Sequence, residues 1–222
     1  MRRYIIILSL FLSFSTLVFS QKAPTYVQVK TNQGSFTILL YEDTPLHRES
    51  FLTHVRANDY DDIAFHRVVK NFMVQAGGNV RKGDEETKRR LAEKHKEKLP
   101  AEILYPKYFH KRGAVAAART ANEVNPEKQS DSFQFYVVVG QFYLDTDLEQ
   151  MEQEHAITIP DSIKTIYMTQ GGAPFLDGEY TVFGEVVKGM RTIEKIQNLP
   201  TDDQDSPTKE AFIKSMKIVS KP

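Results

Sequence analysis

The sequence predicts a mainly β protein, one closed barrel of antiparallel strands capped by two α-helices and interrupted by helical insertions. Two observations predict it. Short runs of β-branched and aromatic residues recur along the chain between turn-forming residues, and only two amphipathic helical segments fall between those runs. The roughly 200 residues that follow the first twenty, without internal repeats, can form such a barrel as one domain with a sufficient core.

The first twenty residues stand apart from this pattern. Arg2-Arg3 is a basic start, Ile5 to Phe19 is almost wholly apolar, and Val18-Phe19-Ser20 places small residues at the cleavage-determining positions. Residues 1–20 therefore read as a secretory signal peptide, with the mature chain, residues 21–222, beginning near Gln21. The apolar run is shorter than the ~20 residues needed to span a bilayer, so stable membrane insertion after cleavage is not expected. Export is, to the periplasm first and the extracellular space second. Without Arg2 and Arg3 the chain holds 27 basic and 29 acidic residues, a net charge of −2, which implies no nucleic-acid partner. There is no cysteine; an oxidising compartment permits disulfides without demanding them, and the core alone must hold the fold.

Tyr26 to Lys30 and Ser35 to Tyr41 read as antiparallel strands joined by the turn Thr31-Asn32-Gln33-Gly34. Thr44 before Pro45 is a helix start with a threonine N-cap, and Phe51, Leu52 and Val55 recur at helical spacing up to about Asn58. Further strands are predicted at Gly113 to Arg119, Phe133 to Val139, Thr181 to Val187 and Phe212 to Val219, with a helix at Met190 to Gln197. Two stretches interrupt this scaffold, at about residues 79–112 and 141–172. In the first, opposite charges between Arg81 and Leu99 at three- and four-residue spacing predict a solvated helix around Glu85 to Lys98. In the second, Leu144 to Gln170 reads as a helix followed by a short connector at Pro160. Insertions of this kind belong in surface loops.

The chemistry concentrates in Phe65-His66-Arg67-Val68-Val69-Lys70-Asn71-Phe72-Met73-Val74-Gln75-Ala76-Gly77-Gly78. Strand alternation puts Phe65, Arg67 and Val69 on one side, and Met73 and Gln75 together on one side of the next strand. A guanidinium then stands beside an apolar floor. His66, the neighbour of Arg67, points to the other face and reads as a hydrogen-bonded buried histidine.

This segment resembles the signature of the cyclophilin-type peptidyl-prolyl isomerases. Thr31 to Leu40 is similar to the family's opening hairpin, Gly113-Ala114-Val115-Ala116-Ala117-Ala118-Arg119 to its G-x-L-x-M-A-N strand, and Ser132-Phe133-Gln134-Phe135-Tyr136-Val137 to its G-S-Q-F-F-I strand. Phe175-Leu176-Asp177-Gly178 and Val182-Phe183-Gly184 look like W-L-D-G and V-F-G. The resemblance implies an eight-stranded cyclophilin-like barrel and an isomerase of X-Pro bonds. It implies Arg67 as the catalytic residue, and Phe72, Met73, Tyr136 and Leu176 as the proline pocket. Gln75 and Gln134 would bind the substrate backbone, Ala118 and Arg119 would border the next subsite, and Phe175 and Tyr180 would complete the substrate-binding surface.

Three positions depart from the pattern: Phe175 where tryptophan is common, Tyr180 where histidine is common, and Arg119 where asparagine is usual. Loss of the indole donor implies weak inhibition by cyclosporin. Tyr136 adds a hydroxyl that needs a partner if buried. The implied partners are proline-containing peptides and unfolded or folding proteins, handled by a monomer. A non-catalytic proline-peptide module or holdase would keep the pocket without needing Arg67. No cofactor is implied, and the scattered histidines, His47 and His54 among them, show no metal-ligand spacing. A G-x-S-x-G nucleophile elbow is absent.

Overall fold

The computed structural model describes residues 24–222, so the predicted signal peptide lies outside the described residues. In chain order the elements are β1 (Thr25–Thr31), β2 (Ser35–Leu40), α1 (Pro45–Arg56), β3 (Ile63–Val69), β4 (Met73–Val80), α2 (Glu85–Lys94), β5 (Lys98–Leu99), β6 (Ala114–Ala117), β7 (Ser130–Asp131) and β8 (Phe135–Val138). They continue with α3 (Asp145–His155), α4 (Asp161–Thr169), a 3-10 turn at Pro174–Leu176, β9 (Val182–Lys188), α5 (Met190–Gln197) and β10 (Ile213–Val219).

Eight strands form one antiparallel sheet in the order β10-β1-β2-β9-β6-β8-β4-β3. The sheet curls until its two edges meet: Ala64, in β3, bridges Phe212 beside β10, and the Phe65 N–H donates to the Ala211 carbonyl at 2.9 Å. Closure leaves no long exposed edge. Alternation sends Val27, Val29, Ile38, Val74, Phe135 and Val137 into the barrel, where Phe51, Leu52 and Val55 of α1 and Ile193 and Ile196 of α5 join them. All of these are at most 3% exposed. The two helices are thus held by apolar burial.

Four local expectations need correction. Phe65 and Arg67 do not share a face: Phe65 pairs with Ala76 and Arg67 with Gln75, so β3 carries one extra residue, His66, against β4. This β-bulge reverses the alternation. Phe65 enters the barrel core while Arg67 and Val69 turn to the outer face with Met73 and Gln75. Secondly, Thr44 does not cap α1 with its side chain. Its hydroxyl lies 3.4 Å from the Tyr41 carbonyl instead, and the Glu102 carboxylate accepts the Leu46 and His47 N–H groups at 3.0 Å each and meets His47 Nδ1 at 2.6 Å. A carboxylate satisfies the free N–H groups of a helix start and its positive end together. The helix ends at Arg56, close to the expected Asn58, which lies in the left-handed region (φ 58°).

Thirdly, the charged helix stops at Lys94, because His95 turns inward and stacks on Phe133 with ring centroids 3.9 Å apart. Beyond it Lys98–Leu99 pairs with Ser130–Asp131 as a small second sheet. Fourthly, the stretch after Pro160 is a second helix, α4, which that proline begins. Ile163 and Tyr167, four apart, bury one face of it. Tyr143, Leu148, Ile159, Ile163 and Tyr167 form a separate apolar cluster with Tyr105 and Phe109, so residues from both interrupting stretches share one satellite core.

Candidate active site

The outer face of β4, β6 and β8 supplies the site. Met73, Tyr136 and Ala116 point away from the barrel core and, with Leu176 from the 3-10 turn, form a second apolar cluster on that face. Phe72, half-buried in the β3–β4 turn, and Tyr180 pack against it. They surround a cavity of about 100 Å³ that also meets Gln75, Ala118 and Arg119, with Arg67 at its edge. The cavity is small enough to select a compact apolar ring.

Arg67 is 46% exposed at its side chain, and its Nε donates to Asp205 Oδ2 at 3.3 Å. Among the described residues its terminal amino groups make no hydrogen bond. An exposed pair of this kind holds weakly, so Asp205 orients the guanidinium without neutralising its function as a donor. Beside it on β4, Gln75 Nε2 donates to Gln134 Oε1 at 3.1 Å. The backbone carrying Gln134 comes so close to β4 that a Cβ on Gly77 (φ +97°) would lie 2.7 Å from Gln134 Cα. Only glycine allows that approach, and it is what brings the two amides together.

The structure brings nine of the expected residues to this cavity and sets two beside it: Gln134 reaches it through Gln75, and Phe175 lines an adjoining cleft. That cleft, about 440 Å³, shares Arg119, Leu176 and Tyr180 with the pocket and is walled by His155 and Ile157 of the second interrupting stretch. Phe175 is 37% exposed and packs against Phe72 at 5.2 Å between ring centroids. Arg119 is a wall rather than a free cation. Its side chain is 3% exposed, donates to the Glu179 carbonyl and carboxylate at 2.8 and 2.9 Å and to the Thr120 carbonyl at 2.9 Å, and lies 4.4 Å over the Tyr180 ring.

Behind the pocket floor lies a chain of buried polar groups that sequence reasoning did not find. The Tyr136 hydroxyl is 3.0 Å from His110 Nε2, His110 Nδ1 is 2.9 Å from Asp177 Oδ1, and the Tyr167 hydroxyl donates to Asp177 Oδ2 at 2.6 Å. The His110 backbone N–H donates to the same carboxylate at 2.8 Å. A carboxylate only accepts, so Nδ1 donates to it, and in the neutral imidazole Nε2 accepts from Tyr136. Burial pushes the Tyr136 phenol well above its ordinary value, which keeps it a donor. The sequence signals were Asp177, inside Phe175-Leu176-Asp177-Gly178, and the Tyr136 hydroxyl, whose need for a partner His110 meets; His110 itself carried none. His66 meets half of its expectation: its Nδ1 accepts the Gly78 N–H at 3.1 Å, but the ring is half-buried rather than buried, and desolvation lowers its pKa to about 4.

A closed barrel with a ring-sized apolar pocket on its outer face, a guanidinium at the rim and two amides on the wall defines a peptide-handling class of site. Residues 26–218 match the family model of the cyclophilin type peptidyl-prolyl cis-trans isomerases, and the chain belongs to that family. Relatives named as peptidyl-prolyl cis-trans isomerases include one from Staphylococcus haemolyticus, 29% identical and covering 88% of this chain and 91% of its own. Another, from Staphylococcus epidermidis, is 31% identical and covers 86% of this chain and 90% of its own. A cyclophilin type isomerase of Cryptosporidium parvum, 21% identical, superposes with a TM-score of 0.62 over 90% of this chain and 99% of that one, which supports the fold. The same Cryptosporidium protein has been solved in the presence of the dipeptide Ala-Pro, and that structure superposes with a TM-score of 0.61.

Proposed function

We propose that this isomerase accelerates X-Pro rotation in exported proteins as they fold, with Arg67 stabilising the twisted amide. Rotation breaks amide resonance against a barrier of ~18–20 kcal/mol. In the twisted state the proline nitrogen becomes pyramidal and gains a lone pair, so a fixed donor there binds the transition state better than either planar ground state. Acceleration of ~10⁵ corresponds to roughly 7 kcal/mol, within reach of one such contact together with burial of the ring. No covalent step is required.

The observation that carries this reading is the position of Arg67, its terminal donors unengaged among the described residues, at the rim of a pocket built by Phe72, Met73, Tyr136 and Leu176. Gln75 and Gln134 stand where they can hold the backbone on either side of the bond, and Ala118, Arg119, Phe175 and Tyr180 border the flanking positions. Binding of proline-containing peptides is supported by the Cryptosporidium relative solved with Ala-Pro. Export to the periplasm is supported by the leader-like first twenty residues, and no helix among the described residues is long and apolar enough to cross a membrane.

Arg67→Ala tests the mechanism. Exchange measured on short X-Pro peptides should fall by roughly 10²–10³, the scale of losing one preorganised transition-state donor, while peptide affinity changes far less. Arg67→Lys should rescue poorly, since a point charge lacks the planar fork. A folded Arg67→Ala protein exchanging at the parental rate would overturn the arginine mechanism.

A further inference from the structure

We infer that His54, Asp59 and His95 bind a divalent late first-row transition ion, of which zinc is the representative, and that the ion fastens helix α2 to helix α1. The three residues come from the last turn of α1, the loop after it, and the residue that closes α2. Each offers a ligand atom, and these atoms all lie within 4.8 Å of one another. No spacing in the sequence announces this, because His95 reaches the other two only when α2 folds back on the barrel.

The donor set selects the ion. Two imidazoles and one carboxylate match three-ligand zinc sites that leave a fourth position for water, and nitrogen donors favour zinc, cobalt, nickel or copper over magnesium and calcium. At bond lengths of 2.0–2.2 Å, tetrahedral ligand atoms stand roughly 3.4 Å apart, so the cluster need close by only about 1.5 Å. His54 Nδ1 already lies 2.9 Å from Asp59 Oδ2, and the His54 and His95 rings meet edge to face at 4.8 Å between centroids.

An independent observation points to a missing partner. His95 is 7% exposed, and its Nε2 is buried with no hydrogen-bond partner among the described residues. Buried polar nitrogens are rarely left so. Phe133 stacks on the same ring and closes one side with an apolar wall, while Asp59 and His54, 16% and 15% exposed at their side chains, leave an entry path. The competing cation is Lys94, whose ammonium is 2.7 Å from Asp59 Oδ1. That lysine is 59% exposed at its side chain, and such pairs are weakly held, so a dication can displace it. The ion would matter mechanically, because α2 contains no buried residue of its own.

The test uses tag-free protein stripped with a chelator, titrated with Zn²⁺ by calorimetry and with Co²⁺ by visible absorption. The proposal expects one equivalent of either ion, cobalt bands of low coordination number, and protection of Glu85 to Lys94 from amide exchange once zinc is added. His95→Ala and Asp59→Asn should each weaken binding by about tenfold or more, whereas His155→Ala should not change it. Imidazole NMR of the unmodified protein removes any dependence on how the variants fold: zinc should shift the His54 and His95 rings. Absence of stoichiometric uptake overturns the proposal, as does an equivalent that persists in the His54→Ala/His95→Ala protein or that shifts other histidines instead.

Discussion

Tyr136→Phe isolates one hydroxyl at the floor of the pocket proposed to take the proline ring. The ring, which contributes the apolar surface, stays; what disappears is the donor to His110 Nε2 at 3.0 Å. His110 is 1% exposed, so no solvent replaces it, and its Nδ1 remains committed to Asp177. Orphaning one buried acceptor costs roughly 1–3 kcal/mol, which in a domain of this size lowers Tm by about 2–12 °C. Asp177→Ala should be worse, because it strands three buried donors at once: the His110 N–H, His110 Nδ1 and the Tyr167 hydroxyl. Its cost of roughly 3 kcal/mol or more is a large share of a typical 5–15 kcal/mol stability. Peptide exchange by Tyr136→Phe should stay within a few fold, since the hydroxyl is engaged with His110 and the ring that lines the pocket is kept. Thermal unfolding and exchange rates on the same preparation decide it. An unchanged Tm would refute the hydrogen-bond argument, and a collapsed rate with an unchanged Tm would put the hydroxyl on the substrate.

Three further outcomes are expected. His66 is held neutral in the fold with a pKa of about 4 against an ordinary value of 6.5, so the unfolded chain takes up the proton first. Stability should therefore be full above pH ~6.5 and decline as pH falls towards ~4, by up to roughly 3 kcal/mol; denaturant midpoints across that range should flatten in His66→Gln, and an unaltered slope would count against it. Cyclosporin should inhibit weakly, and Phe175→Trp, which adds an indole donor beside Phe72, should tighten inhibition several-fold while exchange of short peptides is kept; equal inhibition of both proteins would dismiss the role given to position 175. N-terminal sequencing of the cell-envelope protein should begin near Gln21, and recovery of an intact Met1 would end the export proposal.

Most strands were legible from a local property that survives folding: alternation in Tyr26 to Lys30, and a run of aromatic and β-branched residues in Phe133 to Val139, whose β8 is buried on both faces. The bulge at His66 was not, since one extra residue on β3 is defined only by its register against β4. Pro160 was ambiguous for a different reason: a proline ends one helix or begins another with the same fixed φ, and Ile163 and Tyr167 decide only once their apolar neighbours are known. At the site, Arg67, Met73, Gln75 and Tyr136 could be located from motifs of adjacent residues. Asp205, Glu102 and His110 could not, because their partners are 138, 55 and 67 residues away in sequence. Distant polar pairs leave no periodic trace.

The satellite cluster shared by Tyr105, Phe109, Tyr143, Leu148, Ile159, Ile163 and Tyr167 ties residues from the two interrupting stretches into a single structural unit. Either stretch alone would turn an apolar face to water, so a descendant that loses 141–172 must also recolour Tyr105 and Phe109 with polar residues, and the reverse loss demands the same of Tyr143 and Ile163. Loop grafting between relatives meets the same rule. The cassette that moves is both stretches together, and it carries His110 and Tyr167 with it, leaving Asp177 on the recipient barrel in need of a new set of donors.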